Sequence, residues 1–99
     1  MQTNLEIRAD GATLLIIAGE IDVSVAHDLA AAIDKACDAA AELTIDLADV
    51  SFCDSSGIAQ FVRAARICEN GGGVCRITGA TSGVRRTFEA CGLLDMLDA

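Results

Sequence analysis

The 99-residue sequence contains no proline, tryptophan or tyrosine and only three phenylalanines. Without proline, glycine has to mark most of the boundaries between helices and strands. With so few aromatic rings, the core has to be built from valine, isoleucine, leucine and alanine. The hydrophobic content of 53% is too high for a disordered chain, and the length suits one compact domain. We therefore expect a single domain over residues 1–99.

Basic residues are also scarce: seven lysines and arginines face fifteen aspartates and glutamates, for a formal net charge of −8. Nucleic acid and anionic membrane surfaces would repel such a chain at long range, so we expect neither as a partner. Proteins with basic patches are the better candidates.

The N-terminal stretch Met1–Asn4 has no basic region followed by an apolar segment, as a secretory leader has. The apolar run Leu14–Ala18 is far too short to cross a membrane. We therefore expect a cytoplasmic protein.

The five cysteines are odd in number, and none forms a C-x-x-C pair. They are typical of reduced, mostly buried thiols in a cytosolic protein. Histidine occurs once, at His27, which we expect on a solvated helix face. With no cluster of metal-ligating residues in the sequence, we expect neither a metal nor another cofactor.

Alternation of apolar and polar residues at Leu5, Ile7 and Ala9 predicts a half-buried first strand that ends at Asp10–Gly11. The run Leu14–Ala18 predicts a second strand paired with it in a hairpin. Because that run has no polar face, we expect the second strand inside the sheet and covered.

Ser24 is a suitable N-cap for a first helix. The helix is predicted from its apolar positions Val25, Leu29, Ile33, Ala36, Cys37 and Ala40. Leu43, Ile45 and Leu47 then predict a third strand that continues through Phe52.

The second helix follows Asp54–Gly57, carries Arg63 on its exposed face and ends at Asn70–Gly73. A fourth strand is predicted at 74–77, and Thr81–Ser82 opens a third helix, with Gly92 as its C-terminal glycine. We expect Val84, Phe88 and Cys91 to point inward from this helix.

The element order β-β-α-β-α-β-α predicts an α/β fold with a mixed four-stranded sheet and helices packed on it. Strands two, three and four are joined by helical crossovers, so they should run parallel. The segments Gly19–Asp22, Asp54–Gly57 and Gly79–Ser82 should then meet at the carboxyl edge of the sheet, where sites form in open α/β sheets.

Three motifs carry a resemblance to a known family. Leu43–Gly57 (LTIDLADVSFCDSSG) resembles the central signature of STAS domains, specifically the bacterial anti-sigma factor antagonists. Gly19–Asp22 (GEID) is similar to the family's segment after the second strand. Val84–Glu89 (VRRTFE), followed by Gly92 and Leu93, is similar to its C-terminal motif. The matches occur in the family's order and span nearly the whole chain.

The resemblance implies partner switching in place of catalysis. In such families the unphosphorylated antagonist binds an anti-sigma factor that is also a serine kinase, and thereby frees a sigma factor. The kinase inactivates the antagonist by phosphorylating the second serine of Asp-Ser-Ser-Gly, and a serine phosphatase restores it. Carried over, the acceptor is Ser56. We therefore expect the switch loop and partner surface to comprise Asp22, Ser24, Asp54, Ser55, Ser56 and Gly57.

The residue types suit this role. If Asp54 or Ser55 caps the second helix, Ser56 has the freer hydroxyl, and Gly57 lets another protein approach closely. Asp22 either orients the phosphorylation loop or only caps the first helix. Read alone, the tetrapeptide Asp54–Gly57 is also compatible with a plain helix cap.

Other classes of function fit less well. An enzyme would need a catalytic constellation, yet there is no G-x-S-x-G elbow, and Gly71–Gly73 ends a helix where a phosphate loop would open one. The alternative to the switch is a structural or ligand-responsive STAS module of a larger transport or signalling complex.

Overall fold

A computed structural model describes residues 1–39 and 42–98. Ala40, predicted as an apolar helix position, lies outside the described residues. The strands are β1 (Gln2–Ile7), β2 (Ala12–Ile21), β3 (Glu42–Cys53) and β4 (Val74–Thr78). The helices are α1 (Ala26–Ala39), α2 (Ser55–Asn70) and α3 (Ser82–Ala90), with short 3-10 turns at Val23–Val25 and Leu94–Met96.

The strands form one sheet in the order β1-β2-β3-β4. β1 and β2 pair antiparallel as a hairpin, whereas β2, β3 and β4 run parallel to one another. The predicted α/β class, mixed sheet and element order are confirmed.

All three helices contribute to one core on a single face of the sheet. β2 presents Leu15 and Ile17 to that core, and β3 presents Ile45 and Leu47. From the helical side the ring of Phe61 in α2 stacks on Phe88 in α3, with ring centroids 6.1 Å apart. This shared core fixes the ends of β2 and β3 beneath the start of α2.

β2 lies inside the sheet as predicted, but the prediction that it is covered holds for one face only. Leu14 and Ile16 point away from the helices and remain partly exposed. These two side chains remain partly exposed because the helices form a single layer on the other face of the sheet. An apolar run therefore does not by itself show that both faces of a strand are covered.

The predicted extent and burial of β1 were partly wrong. The strand ends at Ile7, and Ala9 lies in the turn that leads to β2. Ile7 is 63% exposed, because β1 is the edge strand and Ile7 is its last residue, at the margin of the core.

β2 is longer than predicted, and its pairing with β3 is less regular. β2 continues to Ile21, so most of Gly19–Asp22 is strand where a loop was expected. The pairing of β2 with β3 shifts register between Ile16 and Ala18 and again between Gly19 and Glu20. Gly19 has a φ of +98°, which a residue with a side chain rarely adopts. The shifts also interrupt the alternation of β3, and Phe52 is exposed.

Two predicted helix features were wrong. Ser24 is not the N-cap of α1, because Asp22 caps the short turn that precedes that helix. Cys91 follows the end of α3 and is exposed, not inward. The predicted C-terminal glycine is confirmed: Gly92 has a φ of +72°, and its neighbour Leu93 donates a backbone hydrogen bond to Phe88.

Arg63 was predicted on the exposed face of α2, but its side chain joins α2 to α1 and is only partly exposed. Its guanidinium donates to the Asp34 carboxylate at 2.6 Å and to the Ala30 carbonyl at 3.0 Å.

None of the helices in the described part of the chain has the length and apolar character needed to cross a membrane.

Candidate functional site

The site is built where two parallel strands end side by side. Ile21 at the end of β2 pairs with Cys53 at the end of β3. The backbone N–H of Asp54 donates to the carbonyl of Ile21 at 3.1 Å. This bond fastens the segment after β3 to the segment after β2, so the two predicted switch segments lie together.

Asp54 is the N-cap of α2, which decides between the two predicted caps, Asp54 and Ser55. Its Oδ1 accepts from the backbone N–H of Ser56 at 2.9 Å and also from the Ser56 hydroxyl. The prediction that Ser56 has the freer hydroxyl is therefore wrong. The Ser56 hydroxyl is oriented by Asp54, and it is Ser55 that lies exposed at the start of the helix.

The same hydrogen bonds set the charge state of the cap. The Ser56 hydroxyl, followed by the backbone N–H groups of Ser56, Gly57 and Val23, holds the pKa of the Asp54 carboxyl below its ordinary value. The carboxyl is consequently ionised at neutral pH and accepts the hydroxyl proton of Ser56 in a hydrogen bond. Because Ser56 donates that proton, the lone pairs of its oxygen stay available.

Asp22 and Ser24 repeat this arrangement one strand away. Asp22 Oδ1 accepts from the backbone N–H of Ser24 at 2.9 Å and from its hydroxyl. Asp22 therefore acts as a cap, but of the 3-10 turn Val23–Val25 that precedes α1 and not of the first helix itself. Within residues 1–39 and 42–98, its carboxylate has no hydrogen bond to the Asp54–Gly57 segment.

Gly57 is required by internal packing, which differs from the predicted reason. The residue is buried, and a Cβ there would lie 2.6 Å from Cys53 Sγ and 2.6 Å from Ile21 Cγ2. The missing side chain thus allows α2 to start close against the ends of β2 and β3, and it does not open a surface to another protein.

The third predicted segment lies along β3. Thr81 Oγ1 donates to the Val50 carbonyl at 3.4 Å, and Gly79, with a φ of +74°, sits against Asp46 and Ala48. Gly79–Ser82 therefore reaches the same edge of the sheet. Among the described residues, no hydrogen bond joins this segment to Ser56.

The chemistry of the site is that of an oriented hydroxyl. Burial raises the pKa of Cys53 to about 12, aided by the negative charge of Asp54, so this thiol is protonated and a poor nucleophile at neutral pH. Where the structure describes the chain, no group of histidine, cysteine and acidic residues is arranged to hold a metal ion. His27 is exposed on α1.

Two exposed apolar residues beside the site were not singled out from the sequence. Val23 is 77% exposed and Phe52 is 51% exposed. Phe52 lies where the register shifts interrupt the alternation of β3, and no sequence pattern indicated where that break falls.

Comparisons with known proteins agree with this fold. The family model for the STAS domain matches residues 4–98. The Anti-sigma-B factor antagonist of Bacillus subtilis is 31% identical, over 99% of this chain and 91% of that protein. The crystal structure of an anti-sigma factor antagonist from Mycobacterium paratuberculosis is 27% identical with a TM-score of 0.83, covering 97% of this chain and 81% of that one.

The Bacillus cell fate determinant SpoIIAA has the same fold in two forms. In its unphosphorylated form it is 23% identical with a TM-score of 0.84, covering 98% of this chain and 86% of that chain. In its phosphorylated form it is 22% identical with a TM-score of 0.76, covering 98% and 89%. The chain belongs to the STAS domain family, and its relatives include anti-sigma factor antagonists.

Proposed function

We propose that this chain is an anti-sigma factor antagonist that works by phosphorylation-controlled partner switching in the cytoplasm. The unphosphorylated chain binds an anti-sigma factor that is also a serine kinase. Phosphorylation of Ser56 ends that binding, and a serine phosphatase restores it. The chain itself is a binding protein and not an enzyme.

The observation that carries the proposal is the position of Ser56 at the sheet edge, in the first turn of α2, with its hydroxyl oriented by Asp54. The names of the relatives support the proposal. One is an anti-sigma-B factor antagonist, and SpoIIAA exists in unphosphorylated and phosphorylated forms.

The proposed modification balances as an ordinary phosphoryl transfer. Ser56 Oγ bonds to the γ-phosphorus of ATP, the bond to ADP breaks, and the hydroxyl proton passes to a base of the kinase. The product has about −1.5 to −2 charges at neutral pH, beside the Asp54 carboxylate. The positive end of α2 partly offsets that repulsion, so the phosphate acts on the partner's contact more than on the fold.

The direct test is incubation of the purified chain with ATP and each anti-sigma factor kinase from the same organism, followed by mass spectrometry. We expect one phosphate on Ser56 and none on the Ser56→Ala variant. Ser55→Ala and Ser24→Ala are matched controls that should be phosphorylated like the wild type. A phosphate on another residue, or none with any kinase, would contradict the proposal.

The alternative of a structural or ligand-responsive module gives a different result. The chain isolated from its own host would then be unphosphorylated and would carry a co-purifying lipid or nucleotide. Mass spectrometry under native and denaturing conditions distinguishes the two outcomes in one preparation.

A further inference from the structure

Five large apolar side chains are exposed in the described part of the chain, and they lie in different parts of the fold. Val23 is the most exposed at 77%, and Phe52 is 51% exposed. The other three are Ile7, Ile67 and Val74. Ile7 and Val74 lie at the amino edge of the parallel strands, because they pair with Thr13 and Glu42 where β2 and β3 begin. Val23 and Phe52 lie at the opposite, carboxyl edge.

Val23 and Phe52 flank the point where the two switch segments are fastened together. Phe52 pairs with Glu20, one position before the Ile21–Cys53 pair. Val23 comes two residues after Ile21, and its backbone N–H helps to lower the pKa of Asp54. The folded chain therefore places an exposed apolar side chain on each of the two segments, close to the cap that orients Ser56.

Acidic side chains dominate the charge around these two residues, although the N-terminal amino group of Met1 also lies at this edge, close to Gly19. The segments 19–28, 46–57 and 78–82 contain none of the seven lysines and arginines of the chain. Six of its fifteen acidic residues fall in these segments: Glu20, Asp22, Asp28, Asp46, Asp49 and Asp54. Glu20, Asp28 and Asp49 are exposed. An apolar centre with an acidic surround is complementary to an apolar pocket with a basic rim.

A second copy of this chain does not have that chemistry. A symmetric contact through the carboxyl edge would bring the same acidic residues of two chains together, and like charges in an interface are unfavourable. The surface instead fits a different protein that supplies arginine or lysine around an apolar pocket.

We propose that Val23 and Phe52 are the apolar anchors by which the anti-sigma factor docks, and that its contact surface is an apolar pocket rimmed by basic residues. This inference rests on the proposed function, since it concerns the partner of the same site. This docking mode also explains how a phosphate on Ser56 would weaken binding to the anti-sigma factor. A phosphate added beside the two apolar anchors would place its bulk and a dianion against the apolar centre of the pocket, away from the basic rim, where the charge would be desolvated without a partner.

The test uses the anti-sigma factor kinase that binds the wild-type chain, purified, with binding measured by calorimetry and by surface kinetics. In the variant Val23→Thr/Phe52→Thr, the first change keeps the β-branched shape but adds a hydroxyl, and the second removes the aromatic ring. Ile7→Thr/Val74→Thr is the matched control at the opposite edge. We expect the dissociation constant to rise at least about tenfold for the first variant and less than about twofold for the second.

Two further measurements make the result interpretable. Both double variants should unfold at the same urea concentration as the wild type, since all four side chains are exposed. The association rate of the wild type should fall steeply as salt increases, because a basic rim meets an acidic edge.

The outcomes separate this inference from the proposed function. If Ser56→Asp weakens binding but Val23→Thr/Phe52→Thr binds like its control, the anchors are wrong and the switch stands. If the anchor variant weakens binding but Ser56→Asp does not, the docking surface stands and the switch is wrong. If no anti-sigma factor binds the wild type, both are wrong. A wild-type dimer that the anchor variant abolishes, with unchanged affinity for the anti-sigma factor, would assign the surface to a second copy and overturn the inference.

Discussion

At the scale of single residues, one carboxylate organises the site. Asp54 caps α2 through the backbone N–H of Ser56 and orients the Ser56 hydroxyl with the same oxygen. Because those donors favour the ionised form, the pKa of Asp54 is lowered in the folded chain. The cap and the switch hydroxyl are therefore coupled through the protonation of this side chain.

The coupling predicts a particular pH dependence. A carboxyl whose pKa is lowered by folding stabilises the fold above its unfolded pKa of about 4, and that contribution is lost as pH falls through the folded pKa. Asp54→Asn cannot ionise, so at pH 7 it should be less stable than the wild type. The difference should shrink as pH falls below about 4. Urea unfolding of both proteins from pH 7 to pH 3 measures this, and a constant difference would contradict it.

The tight packing around Gly57 leads to a second prediction at the scale of single residues. A methyl group there would meet Cys53 Sγ and Ile21 Cγ2 at 2.6 Å each, so Gly57→Ala should lose about 1–3 kcal/mol of unfolding free energy. Gly83→Ala is the matched control, since a Cβ at Gly83 in α3 has open space. It should be as stable as the wild type or slightly more so. Equal stability of the two variants would mean that α2 does not start against the strand ends.

At the scale of elements, Arg63 links α2 to α1. It forms an ion pair with Asp34 and a hydrogen bond to the Ala30 carbonyl, where sequence periodicity had placed it simply on the exposed face of α2. We now expect Arg63→Ala to cost about 1 kcal/mol, because an ion pair near the surface contributes little but the backbone carbonyl also loses its donor. Arg66→Ala, exposed on the same helix, should change stability by less than about 0.5 kcal/mol. Equal unfolding midpoints for both variants would contradict the link.

The elements also show how far the sequence determines the structure. Period-two alternation identified β3 through Leu47, and glycines marked the ends of α2 and α3, because both signals depend on local geometry. Alternation did not predict the register shifts near Gly19 and Phe52, because these depend on how β2 fits β3. The exposure of Phe52 was missed for the same reason. The hydrogen bond between the Asp54 and Ser56 side chains is local, but the sequence left open whether Asp54 or Ser55 caps α2. The exposed Val23 was not singled out either.

At the scale of the whole molecule, the site depends on one small core. Ile45 is fully buried in β3, the strand that leads to Asp54. Ile45→Ala should cost about 2–5 kcal/mol, out of a total of about 5–15 kcal/mol for a domain, and a chain this short is expected near the low end. Chemical denaturation measures the loss, and partner binding should fall with the folded fraction although no contact residue has changed. Wild-type stability of this variant would show that the strand is misplaced.

The central claim is that one phosphate on Ser56 decides whether the whole molecule binds its anti-sigma factor. The most direct measurement is the dissociation constant of two proteins that differ only there, the wild type and Ser56→phosphoserine. We predict at least about tenfold weaker binding for the phosphorylated chain, with melting temperatures within a few degrees of each other. Equal dissociation constants would contradict the claim. Weaker binding that merely follows a loss of folded protein would contradict the proposal that the phosphate acts at the interface.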